Sequence, residues 1–394
     1  VGERRTVYLD YAATTPVDPR VREAMLPFLD ENAGLFGNPS SIHRYGQDVR
    51  RAIDRARDAV AASIGCEGGE VYFTSGGTEA DNTAVLGVLL AAREHSGRDH
   101  LVTTQVEHHA VLDCARFAEK TLGFRVTYLP VDAHGRVSPE AVAEAVTDRT
   151  ALVSVMHANN EVGTIQPIPE IARRVREASG GAAYLHTDAV QSYGQMPLDR
   201  DALGADLMTL SAHKIYGPKG AGALVVRRGV RFTPWLHGGM QEREKRAGTE
   251  NAAALVGFGR AAELLPEWRD PEAVRLAALR ARFITLVRES LPDALLNGHP
   301  TDRLPNNANL SFPGADGETL LLSLDLYGIA ASSGSACASG SIEPSHVLLA
   351  LGLPLPLARA AVRFSLGRAT TWDHLAHTAA VLAEAVPAAR AGGV

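Results

Sequence analysis

Lysine is nearly missing from this chain. Only four of its 39 lysine and arginine residues are lysines, at Lys120, Lys214, Lys219 and Lys245, so any amine used in chemistry is one of these. Cysteine is just as scarce. Cys66, Cys114 and Cys337 are scattered with no CxxC spacing, which excludes a disulfide framework and a zinc site and suits a reducing compartment. Positive charge is not in excess, since the formal net charge is -6, so there is no electrostatic case for nucleic acid or an anionic membrane. Long apolar runs are absent too. AVLGVLLAA at 84–92 falls well short of the roughly 20 residues that span a bilayer. No charged-then-apolar leader opens VGERRTVYLD, and the expected location is the cytoplasm. Neither a Walker A motif nor GxGxxG is present.

What is present is a long, ordinary globular composition. The 394 residues, 45% hydrophobic and 21% charged, suffice for a large core and two domains. From Val71 to Arg227 short β-type runs alternate with helical patterns. The runs are VYFT (71–74), LVTT (101–104), RVTYL (125–129), ALVSV (151–155), AYLHT (183–187), DLMTL (206–210) and AGALVV (221–226). Between them lie amphipathic segments such as HAVLDCARFAEKTL (109–122) and SPEAVAEAV (138–146). This alternation predicts a mostly parallel sheet covered by helices, with ligands beyond the carboxyl ends of the strands. After Gly259 the pattern changes to a smaller α+β unit. Pro266 and Pro271 read as breakers ahead of a helix from Pro271 to Leu291. NANLSF (307–312), a helix SHVLLALG (345–352), VRFSL (362–366) and a last helix from about Trp372 follow. The expected division is a large domain over 15–260 and a small one over 1–14 and 261–394, although YLDYAATTP (8–16) suits either.

Three segments point to one kind of chemistry. FTSGGTEADN (73–82) turns from a strand through glycines into a helix, which offers backbone N–H groups and the Thr78 hydroxyl to a phosphate. An ordinary capped turn is the plainer reading of that segment alone. HTDAVQSYG puts Asp188 at the end of an apolar run, where an ionised carboxylate needs a cationic partner, or serves as a helix cap. SAHKIYGPKG puts Lys214 after the next run, in the same crevice. A phosphate cradle, a buried aspartate and a lysine together match the needs of pyridoxal 5'-phosphate. The lysine holds the aldehyde, the aspartate keeps the pyridine nitrogen protonated, and the cradle fixes the phosphate. A fourth segment, SSGSACASGS (332–341), sets Cys337 among small residues. It reads as a tether, because about five such residues reach roughly 12 Å.

At this point the chain resembles the cysteine desulfurases of aminotransferase class V, in the NifS/IscS-like group with the long SSGSAC loop. The resemblance runs almost end to end, through YLDYAATTPVDPRV, GNPSSIHRYG, FTSGGTEADN, VEHHAVLD, MHANNEVGTIQPI, HTDAVQSYG, DLMTLSAHKIYGPKG, RAGTEN, SSGSACASG and VRFSLGR. It implies the fold type I of pyridoxal-phosphate-dependent transferases, and conversion of L-cysteine to L-alanine with the sulfur passed to Cys337 as a persulfide. Lys214 is implied as the aldehyde-binding lysine and the acid/base at the substrate α-carbon. Asp188 is implied at the pyridine nitrogen and Gln191 at the ring hydroxyl. His108 is implied as stacking on the ring and moving a proton at the substrate thiol. Gly77, Thr78, Ser211 and His213 are implied at the phosphate, joined by Thr249 from the neighbouring subunit of a homodimer. Asn160 and Arg363 are implied at the substrate carboxylate. The implied partner is a sulfur acceptor, such as an iron–sulfur scaffold or a tRNA-thiolation enzyme.

Plain alternatives stand beside these roles. Periodicity does not choose between His108 and His109, or Asn160 and Asn159. His43, in GNPSSIHRYG, reads as lining the entrance or, at least as readily, as structural, and Cys66 and Cys114 read as core thiols. A selenocysteine lyase, a generic class V aminotransferase in which Cys337 is incidental, and a catalytically silent assembly partner are the rival functions.

Overall fold

The β-type runs pair where their apolar periodicity lets both faces be covered. The computed structural model describes residues 6–333 and 344–391, so Cys337 lies outside the described residues. After a short strand β1 (Val7–Tyr8) come β2 (Val71–Thr74), β3 (His100–Thr104), β4 (Arg125–Leu129), β5 (Thr150–Ser154), β6 (Tyr184–Asp188), β7 (Leu207–Ser211) and β8 (Gly222–Val226). The last seven form one sheet in the order β2-β8-β7-β6-β5-β3-β4. Strands β3 to β7 run parallel, and β8 is antiparallel to both β7 and β2. The carboxyl ends of β2, β3, β5, β6 and β7 therefore share one edge.

Side chains on successive strand residues point to opposite faces. Met208 and Leu210, with Ala223 and Val225, enter a core shared with helices Arg44–Ala62 and Ile168–Ser179. Leu207, Leu224 and Val226 enter the opposite core, shared with helices Gly77–Ser96 and His109–Leu122. Both faces are buried, which explains why these runs carry few charges.

The second core is built from the carboxyl-terminal part of the chain. Strands β9 (Leu295–Asn297), β10 (Asn307–Ser311) and β12 (Ala361–Ser365) form an antiparallel sheet in the order β12-β10-β9. Helices Gly317–Leu326 and Trp372–Ala391 pack against it. The chain's first residues belong here as well, because β1 pairs in parallel with β11 (Ile329–Ala330) and buries Val7 and Leu9 in this core.

The expected helix at Pro271 is a correction. A single helix runs from Ala252 to Ser290 with Pro266 and Pro271 inside it. Each proline removes one helical hydrogen bond, at about 3 kcal/mol. The first half buries Leu255, Phe258, Leu264 and Leu265 in the large core, and the second buries Leu276, Phe283 and Val287 in the small one. At about 1.5–3 kcal/mol per side chain, this burial outweighs the two prolines. Among the described residues no helix is long and apolar enough to cross a membrane.

The long helix meets helix Arg44–Ala62 closely at one point. A Cβ added at Gly259 would lie 2.5 Å from the Cα of Ala56. Ala exceeds Gly in helix propensity by about 1 kcal/mol, but that contact is backbone and cannot yield. Gly259→Ala is expected to lower stability by about 1–3 kcal/mol, read as an earlier urea midpoint with an unchanged slope; a later midpoint would show the two helices are not in that contact.

Candidate active site

The shared strand edge opens into a cavity of about 340 Å³. One corner gathers hydrogen-bond donors. Gly76 caps helix Gly77–Ser96 without any side chain, which leaves the first helical N–H groups for a ligand. Gly77 is required by space, since a Cβ there would lie 2.9 Å from Val190 Cγ2. Thr78 lines the same corner with Ser211, which ends β7 fully buried with no partner for its hydroxyl among the described residues. His213 also lines it, with a ring nitrogen 3.1 Å from the Thr14 hydroxyl. Burial, with the nearby Lys214 charge, lowers the His213 pKa to about 4, so the ring is neutral at pH 7.

The cavity floor holds Asp188 and Lys214, from the ends of neighbouring strands β6 and β7. Asp188 Oδ1 accepts from the Val190 N–H at 2.9 Å. Burial pushes this carboxyl up to about 6, against that hydrogen bond and the Lys214 charge. Lys214 Nζ donates to the carbonyls of Ala12 at 2.6 Å and Ala13 at 2.8 Å. Gln191 Nε2 donates to the same Ala12 carbonyl at 3.0 Å.

His108 stands on another wall as the N-cap of helix His109–Leu122. Its Nδ1 accepts from the Ala110 N–H at 3.1 Å, so the neutral ring carries its proton on Nε2. Burial, then the Lys214 charge, lowers its pKa to about 4. The geometry separates the paired candidates. His109 is exposed, with Nδ1 3.3 Å from Asp113 Oδ2. Asn159 is buried, with Nδ2 donating to the Val106 carbonyl and Oδ1 accepting from the Glu161 and Val162 N–H groups. Asn160 lines the cavity.

Arg363 faces the cavity from β12, the edge strand of the small sheet. Its side chain is only 4% exposed. Nη1 donates to the Asn160 carbonyl at 2.9 Å and Nη2 to Asp10 Oδ1 at 2.8 Å. Thr249 is exposed and lies outside this chain's cavity. His43 caps helix Arg44–Ala62 by accepting from the Gly46 N–H. Burial pushes the Cys66 and Cys114 thiols up to about 12, which leaves both protonated and poor nucleophiles.

The comparisons with known proteins decide the family. The class V aminotransferase model matches residues 7–376. A protein of Dictyoglomus turgidum named cysteine desulfurase IscS is 51% identical over 96% of this chain and 94% of its own length. One of Methanosarcina thermophila with the same name is 48% identical over 98% of this chain and 93% of its own. A solved NifS-like protein superposes with a TM-score of 0.88 at 36% identity, covering 96% of this chain and 98% of that one. A structure titled SspA in complex with cysteine gives 0.80 at 36% identity, over 92% and 99%. This chain belongs to the NifS/IscS-like cysteine desulfurases of the class V aminotransferase family. Its architecture is the fold type I of pyridoxal-phosphate-dependent transferases.

Relative to the expected desulfurase set, several unforeseen groups line the cavity or bond to residues that do. Asp10 reaches Arg363, and Asp81 faces the cavity from the first turns of helix Gly77–Ser96. Burial, then the charge of Asp188, raises the Asp81 carboxyl. Glu107 is fully buried and pushed up to about 8 by burial. Asp10 and Asp81 were legible as acids inside YLDYAATTP and FTSGGTEADN. The carbonyls of Ala12 and Ala13 carry no sequence signal at all.

Asp188's raised pKa means the fold penalises its ionised form. That penalty is absent below the ordinary carboxyl value, grows through the window up to pH 6 and is complete above it. In cofactor-free protein, Asp188→Asn is therefore expected to be more stable than wild type by roughly 3 kcal/mol at pH 8 and close to it at pH 4. Chemical denaturation at the two pH values checks this; a variant weaker than wild type at pH 8 would contradict the assigned burial cost.

Proposed function

We propose that this chain is a pyridoxal-phosphate-dependent cysteine desulfurase that converts L-cysteine to L-alanine and carries the sulfur as a persulfide on Cys337. One observation carries the reading: Lys214 and Asp188 share a closed floor, with the guanidinium of Arg363 facing the same cavity. The residues fit the cofactor. Ser211's unpartnered hydroxyl, Thr78 and the uncapped helix start form an anion cradle. Asp188 and Asp81 line the far end, and after burial the Asp188 charge raises the carboxyls of Asp81 and of buried Glu107 behind it. Such a site favours a cation, which a protonated pyridine nitrogen provides.

Gly77, Thr78, Ser211 and His213 would hold the phosphate, Asp188 the pyridine nitrogen, Gln191 the ring hydroxyl and Lys214 the aldehyde. When bound, the group supplies an electron sink for the pair released at the substrate α-carbon. Arg363 and Asn160 orient the substrate by its carboxylate, for which a planar guanidinium is well matched. Lys214 Nζ takes the α-proton and returns it later. His108 would stack on the ring, and with Nδ1 engaged by the helix it would offer Nε2–H to the substrate sulfur. Cys337 Sγ attacks that sulfur: an S–S bond forms, the Cβ–S bond breaks, and its electron pair and a proton stay with the carbon skeleton as L-alanine.

The sulfur then passes to an acceptor protein serving iron–sulfur cluster assembly or tRNA thiolation. Thr249, outside this chain's cavity, is read as completing the phosphate site of a second copy in a cytoplasmic homodimer.

Incubation with L-cysteine followed by peptide mass spectrometry tests the proposal. One added sulfur is expected on the peptide containing Cys337, with L-alanine accumulating in step. Cys337→Ser is expected to lose sulfur release by at least about a hundredfold. Undiminished release from that variant would end the persulfide reading.

A further inference from the structure

We propose that Asp10 is the resting counter-ion of Arg363, a built-in carboxylate with which the substrate's carboxylate competes, so that Asp10 sets how loosely the site holds carboxylates. The inference rests on the reading of Arg363 as the substrate-carboxylate residue.

The pair reaches the cavity through Arg363. Arg363 lines it, is nearly closed to solvent, and has one guanidinium edge on Asp10 Oδ1 at 2.8 Å. Its Nη1 is held by the Asn160 carbonyl, and its Nε is buried without an acceptor among the described residues. Each terminal nitrogen carries a second N–H beyond these bonds, so the guanidinium can serve an incoming carboxylate beside an anion already in place. Asp10 is not free to drift away. Its backbone bridges Ser365, two residues beyond Arg363 on β12, and the Ser365 N–H donates to the Leu9 carbonyl at 2.7 Å. The Tyr8 hydroxyl donates to the Asp10 carbonyl at 3.0 Å and the Thr14 carbonyl at 2.9 Å.

A buried guanidinium with no counter-ion is costly. Asp10 removes that cost in the empty site, and in doing so reduces what a ligand carboxylate gains on arrival. Two anions on one cation also repel each other at this range. By linkage, a change that weakens only the empty state strengthens ligand binding. L-cysteine and L-alanine carry the same α-carboxylate, so the softened grip acts on the departing product as well as on the substrate.

The test is Asp10→Asn, which keeps the acceptor oxygen and removes the charge, in the cofactor-loaded enzyme with L-alanine as the competing ligand. The inhibition constant for L-alanine and the KM for L-cysteine are expected to fall about tenfold, with the change in KM rather than kcat. Without ligand the variant is expected to melt below wild type, and L-alanine should raise its Tm by more. Asp10→Glu, which restores the charge, is expected to return the alanine constant toward the wild-type value. A weaker alanine constant in Asp10→Asn would make Asp10 a mere orienter of Arg363, and an unchanged one would remove it from binding; either overturns the proposal. Arg363→Lys separates the two readings. If it leaves the alanine constant unchanged, the assignment of Arg363 itself fails, whatever Asp10 does.

Discussion

The amine of Lys214 is held by two backbone carbonyls, those of Ala12 and Ala13, and the rest of the site is arranged around that grip. The segment providing them starts in the small core, where Val7 and Leu9 are buried. Its stretch from Asp10 to Thr15 lines the cavity at Ala12 and Ala13 and meets four residues of the site. Asp10 meets Arg363, Ala12 meets Lys214 and Gln191, and Thr14 and Thr15 meet His213. The position of Lys214 relative to Arg363 is thus tied through the four residues Asp10 to Ala13, although Lys214 follows β7 of the large sheet and Arg363 lies on β12 of the small one. Proximity of this kind lets a small substrate be held at both ends.

Electrostatics supplies the second constraint. The strand ends are dry, so burial first and neighbouring charge second set the protonation state of each ionisable group there. His108 and His213 are driven neutral, while Asp81, Glu107 and Asp188 are pushed toward the acid form. Lys214 stands among them as a cation whose charge reaches His108, His213 and Asp188 alike. A cofactor with an anionic phosphate at one end and a basic nitrogen at the other complements this gradient, which is why the pyridoxal reading suits this floor better than a generic acid–base site.

Much of this was legible in the residues. β2, β4 and helix His109–Leu122 fall where the alternation of apolar and polar residues put them, because each is bounded by a clear turn or cap. Lys214 stood out through scarcity and through its place after an apolar run. Local signals failed where distant burial outweighed them. Pro266 and Pro271 mark a break that two separate cores override. The Asp10–Arg363 pair joins residues 353 positions apart, a distance over which no spacing argument operates. His108 was distinguished from His109 only by motif, since both begin the same helix and only the folded backbone turns one ring into the cavity.

The most direct test of the central claim is to lock the cofactor onto the protein with borohydride and map the labelled peptide. The account predicts a single modified amine, at Lys214, and none after Lys214→Ala. A label on Lys219, which lies in the neighbouring glycine-proline turn, or a full label surviving in the alanine variant, would contradict it.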